Sequence, residues 1–172
     1  AEYGFEIGDS GSKIYVYNVG DDIVYQYSMS TPYDVSTASY DSKSFDFTSQ
    51  DTSLVHIKFN ADGTKLYTLG AAQRNIHQYS LSPSWDISSA SYDNISFSHS
   101  SQSTNAPSFT FNADGTKMYL GDDTNNRVYQ YSIGSSSPAT ITYPSSVKWS
   151  GATTPDAPAA GEKDVYTFVT TD

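Results

Sequence analysis

The sequence predicts an all-β fold of tandem four-stranded antiparallel blades, a β-propeller-like repeat protein. Three observations predict it. The chain matches itself at a fixed spacing, its apolar residues alternate with a period of two, and its 172 residues carry 15 Tyr and 8 Phe against 2 Met. Burial must therefore rest on aromatic and β-branched side chains, which suit a pleated surface.

The self-match is gap-free over Asn60-Ala61-Asp62-Gly63-Thr64-Lys65-Leu66-Tyr67 and Asn112-Ala113-Asp114-Gly115-Thr116-Lys117-Met118-Tyr119, a shift of 52 residues. The same shift places Gly63, Lys65 and Tyr67 on Gly11, Lys13 and Tyr15, and Gln78-Tyr79-Ser80 on Gln26-Tyr27-Ser28 and Gln130-Tyr131-Ser132. It also sets Asp34 to Asp41 on Asp86 to Asp93, whereas the third copy diverges after Ile133, as expected of a terminal repeat. The expected organisation is three repeats at about 1–52, 53–104 and 105–151, a Pro/Ala-rich linker at 152–163, and a detached strand at 164–172.

Within the middle unit, Val55, Ile57 and Phe59 alternate with His56 and Lys58, the pattern of a half-buried strand. Asn60 to Thr64 supplies a hairpin turn with Asp62-Gly63 at its centre. A second strand follows at Lys65 to Leu69, a loop at Gly70 to Arg74, a third strand at Asn75 to Leu81, a long loop through Ser82 to Asp86, and a fourth strand near Asn94 to His99. No segment spaces its apolar residues for three turns of helix, and Gly, Asn, Ser and Thr lie too densely for one.

A formal charge of −10 and an isoelectric point near 4.4 argue against a nucleic-acid partner, whose binding depends on Lys and Arg. An anionic membrane surface is disfavoured for the same reason, and no apolar run approaches the roughly 20 residues that span a bilayer. Without Cys, neither a disulfide nor a thiolate metal site can form. Abundant Ser, Thr and Asn with few Lys points to an extracellular or virion setting. The start, Ala1-Glu2-Tyr3-Gly4, reads as a processed terminus or a fragment edge.

Candidate sites each carry two readings. Asp62 and Asp114 offer oxygens to a hard cation such as calcium, or cap their own turns while Gly63 and Gly115 take positive φ. No other cofactor is expected. Asp21-Asp22 and Asp122-Asp123 occupy corresponding loops and read as solvated charge. His56, His77 and His99 fall in three strands of one repeat; the alternatives are a metal triad, or surface and edge histidines. Tyr33 and Trp85 share one loop position, where a ring either stacks on a sugar or staples one repeat to the next. Asn94-Ile95-Ser96 is a glycosylation sequon with Asn94 as acceptor. Val165, Tyr166 and Phe168 give the C-terminal strand an apolar face for coupling to a neighbouring sheet edge. No nucleophile elbow, phosphate-binding loop or zinc-protease motif is present, so no catalytic residue is assigned.

The block Phe111 to Tyr119, with the aromatic strand Val128-Tyr129-Gln130-Tyr131-Ser132, resembles YVTN-type propeller repeats. Together with the Leu81 to Tyr92 loop and the tail from Val147, it is similar to repeats of bacteriophage tail and other virion-associated proteins. The chain departs from these in holding three units where closed propellers carry about four to eight blades. The expectation is a non-enzymatic structural or adhesive subunit of a virion, tail fibre or extracellular filament. It would self-associate through sheet edges and the C-terminal strand, with a cell-surface glycan as a second partner. The alternatives are a secreted carbohydrate-binding propeller module using Tyr33 and Trp85, and a lactonase-like hydrolase that the YVTN resemblance implies.

Overall fold

The computed structural model describes residues 3–18 and 21–133, which fall in one compact unit. The linker at 152–163, the C-terminal strand with Val165, Tyr166 and Phe168, and the last part of the third repeat lie outside the described residues.

The described residues form three antiparallel meanders, one per repeat. The first blade runs β1 (Tyr3–Gly8), β2 (Lys13–Asn18), β3 (Ile23–Met29) and β4 (Ala38–Asp46). The second runs β5 (Leu54–Phe59), β6 (Lys65–Gly70), β7 (Asn75–Ser80) and β8 (Ser91–Ser98). The third shows β9 (Phe109–Phe111), β10 (Lys117–Asp122) and β11 (Arg127–Ser132). Chain order equals strand order in each sheet, and β1, β5 and β9 pack side by side as the inner strands. This is part of a β-propeller-like array.

Each long loop ends in a single helical turn, Val35–Thr37 or Ile87–Ser89, capped by Asp34 or Asp86 accepting from the backbone N–H of Ser36 (3.0 Å) or Ser88 (3.1 Å). The turn releases the chain into the outer strand, so β8 begins at Ser91, three residues before the start the sequence suggests. The hydrophobic alternation hid those residues because β8 contains a bulge: its pairing with β7 shifts between Gln78 and Tyr79, and Asn94 takes φ +57°. The first blade repeats the device at Gln26/Tyr27, with Ser42 at φ +57°.

That bulge aims an aspartate back across the sheet. In the first blade Asp41 Oδ2 accepts from Gln26 Nε2 (2.8 Å), Ser28 Oγ (2.8 Å) and Lys13 Nζ (3.2 Å). In the second, Asp93 takes Gln78 Nε2 (2.7 Å), Ser80 Oγ (2.5 Å) and Lys65 Nζ (2.8 Å) in the same way. A network that recurs at the same repeat positions is architecture, and the repeated Gln-Tyr-Ser and Lys of the sequence are its parts.

The apolar residues are shared between blades. Tyr15, Tyr17, Val24 and Phe47 of the first blade pack with Leu54, Ile57, Phe59, Leu66, Tyr79 and Ile87 of the second. Leu69 and Ile76 pack with Ala106, Phe109, Met118 and Leu120 of the third. Among the described residues no blade holds a private core, so each is stabilised by packing against its neighbour.

Two expectations are corrected by burial. Asp22 and Asp122 are not solvated loop charge. Asp22 Oδ1 accepts from the Leu54 backbone N–H across the first seam (2.6 Å), and Asp122 Oδ1 accepts from Ser103 Oγ (2.7 Å). Unfilled backbone and hydroxyl donors at the blade ends need an acceptor there. His77 and His99 are likewise interior rather than surface residues: His77 Nδ1 meets Tyr92 Oη (3.4 Å) and His99 Nδ1 meets the Ser103 carbonyl (3.3 Å). His99 also falls just beyond β8 instead of within a strand.

Candidate functional site

The inner strands carry one polar arrangement that does not repeat. Glu6 on β1, Lys58 on β5 and Thr110 on β9 occupy the same repeat position, and Lys58 Nζ donates to Glu6 Oε1 at 2.6 Å across the first seam. Tyr17 on β2 lies beside this pair, with its ring over Gly4, where any Cβ would collide with it. Burial, reinforced by the Glu6 carboxylate and opposed by a backbone hydrogen bond with Ile57, pushes the Tyr17 phenol up to about 12. It therefore stays protonated through the neutral range.

The Glu6 and Lys58 side chains remain 17% and 34% exposed. An ion pair that open contributes about 0–1 kcal/mol, so stability is a weak reason for its presence. Lys58 also reaches the second seam, where it lines a hollow of about 270 Å³ together with Asn60, Tyr67, Gln78, Phe111 and Asn112. A second hollow of about 240 Å³ adjoins it, sharing Tyr67, Gln78, Phe111 and Ile133, and is more apolar. The Tyr67 and Phe111 rings lie 4.7 Å apart. The combination is a small cleft with aromatic walls, amide groups and the Lys58 side chain at its edge, with the Glu6 carboxylate beyond Lys58 on the first blade rather than in the lining, the general make-up of a site for a small polar ligand. Chemically, the carboxylate can take a proton from water and the ammonium can stabilise developing negative charge on oxygen.

Sequence reasoning missed Glu6 and Lys58. No signal singled them out: the inner strands differ at every position between the first two repeats, with Gly4 on His56 and Phe5 on Ile57 as well as Glu6 on Lys58.

The predicted site residues are dispersed. Trp85 is packed into the first seam: its indole covers Gly63 of its own blade and Gly8 of the preceding one, it lies 5.2 Å from Phe59, and its carbonyl accepts from Tyr15 Oη at 2.7 Å. Tyr33, at the same repeat position, covers Gly11 and is 68% exposed. The two rings therefore do not form a common surface. Asp62 Oδ1 accepts from the Thr64 backbone (2.9 Å) and hydroxyl (2.5 Å), and Asp114 Oδ1 does the same with Thr116 (2.9 and 2.6 Å). Those bonds hold both carboxyls below the usual range, while Gly63 and Gly115 take φ +69° and +71°. Asn94 is exposed on β8. Among the described residues, no three His, Asp or Glu side chains gather as metal ligands.

No family of sequences and no curated protein matches the chain. Solved structures do. A putative 6-phosphogluconolactonase from Bacteroides fragilis superimposes with a TM-score of 0.57 at 10% identity, covering 76% of this chain and 34% of its own. A periplasmic gluconolactonase from Pseudomonas aeruginosa gives 0.55 at 12%, covering 76% and 35%. The β-propeller domain of Cps50 (Swd1) from Myceliophteria thermophila gives 0.54 at 11%, covering 76% and 39%. The chain thus spans about a third of the length of these proteins, and it shares their propeller fold. The expectation of a non-enzymatic virion, tail-fibre or filament subunit is corrected by these likenesses, since solved structures of this fold are named as lactonases. The physical reason is plain: the Asn-Ala-Asp-Gly-Thr block that suggested a virion protein builds a hairpin turn and says nothing about chemistry.

Proposed function

We propose that this chain contributes blades to a lactonase-like propeller that binds a small polyhydroxylated lactone in the cleft at Lys58 and hydrolyses its ring ester. The observation that carries the reading is the Lys58–Glu6 pair on the inner strands: Lys13–Asp41 and Lys65–Asp93 recur at equivalent positions and Lys43–Asp86 ties the outer strand of the first blade to the long loop of the second, whereas Lys58 and Glu6 meet on β5 and β1. The names of the lactonase structures of the same fold support it.

Tyr67 and Phe111 offer ring faces to the sugar, and Asn60, Gln78 and Asn112 offer amides to its hydroxyls. Water attacks the lactone carbonyl carbon while Glu6 accepts its proton. Lys58 donates to the oxyanion, and the carbonyl re-forms as the ring C–O bond breaks, the leaving alkoxide taking the proton from Glu6.

The test is the initial rate of hydrolysis of a sugar δ-lactone, with and without a 6-phosphate, above the buffer rate. Glu6→Gln and Lys58→Met are expected to lower that rate by at least about 100-fold, the scale of a lost acid–base group, with unchanged circular dichroism. A wild-type rate equal to that of buffer, or variants as fast as wild type, would overturn the assignment.

A further inference from the structure

The seam between the first two blades has a register, and the first and third of the described blades each carry one of its halves exposed. On the first blade, Phe5, Tyr33, Val35 and Tyr40 are 65%, 68%, 60% and 46% exposed. One repeat further on, at the same positions, Ile57 and Ile87 are fully buried, and Trp85 and Tyr92 pack on the core shared with the preceding blade. On the far side of the third blade, Val128 is 71% exposed, whereas its counterparts Val24 and Ile76 are 0% and 4% exposed beneath the next blade.

The polar groups continue the pattern. Across the first seam, Tyr15 Oη donates to the Trp85 carbonyl (2.7 Å) and Gln26 Oε1 accepts from the Ile87 backbone N–H (2.8 Å). The third blade keeps both side chains, as Tyr119 and Gln130, and the first blade keeps both backbone partners, at Tyr33 and Val35. Thr110 would stand beside Glu6 in the inner row, a hydroxyl facing a carboxylate where the first seam has an ammonium facing one.

One volume exchange makes the match specific. Trp85 needs Gly8 opposite, because the benzo ring of the indole lies where a Cβ would be. At the position of Gly8 the third blade has Asn112, and at the position of Trp85 the first blade has Tyr33, whose single ring lacks that benzo extension. The larger residue on one face meets the smaller ring on the other.

We propose that the exposed face of the third blade is the docking surface for the first blade of a second copy of this chain. The contact repeats the internal seam head to tail: Val128 against Val35, the Tyr119 hydroxyl on the Tyr33 carbonyl, and the Gln130 amide oxygen on the Val35 N–H. Such an interface is heterologous and must close or propagate. Two copies bring six of the described blades, within the roughly four to eight of closed propellers, so the contact closes as a dimer.

Val35→Asp and Val128→Asp each place a charge on one face only, at residues exposed in the single chain. Native mass spectrometry of the full chain at micromolar concentration should give twice the 18.8 kDa of the chain. Each variant alone should give a monomer with wild-type circular dichroism. An equimolar mixture should recover a one-to-one heterodimer held by its one unaltered seam, the intact Val128 face of the first variant on the intact Val35 face of the second. A wild-type monomer would overturn the proposal and assign the faces to further blades of a longer polypeptide or to another protein. Variants that still self-associate, or a mixture that stays monomeric, would overturn it by excluding a head-to-tail contact.

Discussion

Trp85 seals the first seam from both sides, resting on a glycine of each blade, while Tyr33 performs only the half of that task available within its own blade. Trp85→Ala is therefore expected to cost about 3–5 kcal/mol, the range for a large aromatic removed from a packed site. Tyr33→Ala should stay within about 0.5 kcal/mol in dilute solution, as for an exposed side chain. Urea unfolding of the two variants measures the contrast, and equal losses would contradict it. The histidines set an acid limit. Burial lowers the pKa of His56, His77 and His99, with Lys58 adding to the effect at His56 and Arg74 at His99. Unfolded histidine titrates near 6.5, so below that pH the unfolded chain takes up protons that the folded chain refuses, and stability falls as pH drops. Asp41 and Asp93 act lower: burial raises their pKa, but hydrogen bonds from Ser, Gln and Lys outweigh it. Their contribution is present above the ordinary carboxyl range, near 4, and is lost as pH falls through the depressed folded values. Melting temperatures at steps from pH 8 to 2 should show two declines, and His99→Asn should shrink the upper one.

At the scale of elements, the two Asn-Ala-Asp-Gly-Thr turns are identical in sequence and nearly so in backbone, with φ +69° at Gly63 and +71° at Gly115. Gly→Ala at either should cost about 1 kcal/mol for the left-handed backbone alone. Gly63→Ala should cost clearly more, since its Cβ would enter the Trp85 indole, whereas no described residue lies within 4 Å of a Cβ at Gly115. Thermal unfolding of the pair decides this, and equal shifts would contradict the packing term. The turns were legible in the sequence because Asp-Gly has local chemistry. The outer strands were less so. Their bulges at Ser42 and Asn94 break the period of two, and residues that look misphased belong to the strand.

Across the whole molecule, the 52-residue repeat conveyed the blades because every copy solves the same packing problem, with Tyr15 and Tyr67, or Val24 and Ile76, at equivalent places. It did not convey the candidate site. Glu6 and Lys58 meet because their repeat positions coincide and their blades adjoin, a relation that an alignment shows only as a mismatch. Nor did it convey the cleft, which exists only between sheets. A repeat reports what the copies share; chemistry resides where they differ. Gly8 is one such difference, and it bears on how the gene can change. Tandem units of one length can be gained or lost whole without disturbing the reading frame. A duplicated middle unit would bring a second Trp85 against Asn60, where the first meets Gly8. The absence of one side chain thus makes the seams inequivalent: a unit that carries the indole fits behind the first blade and not behind a copy of itself.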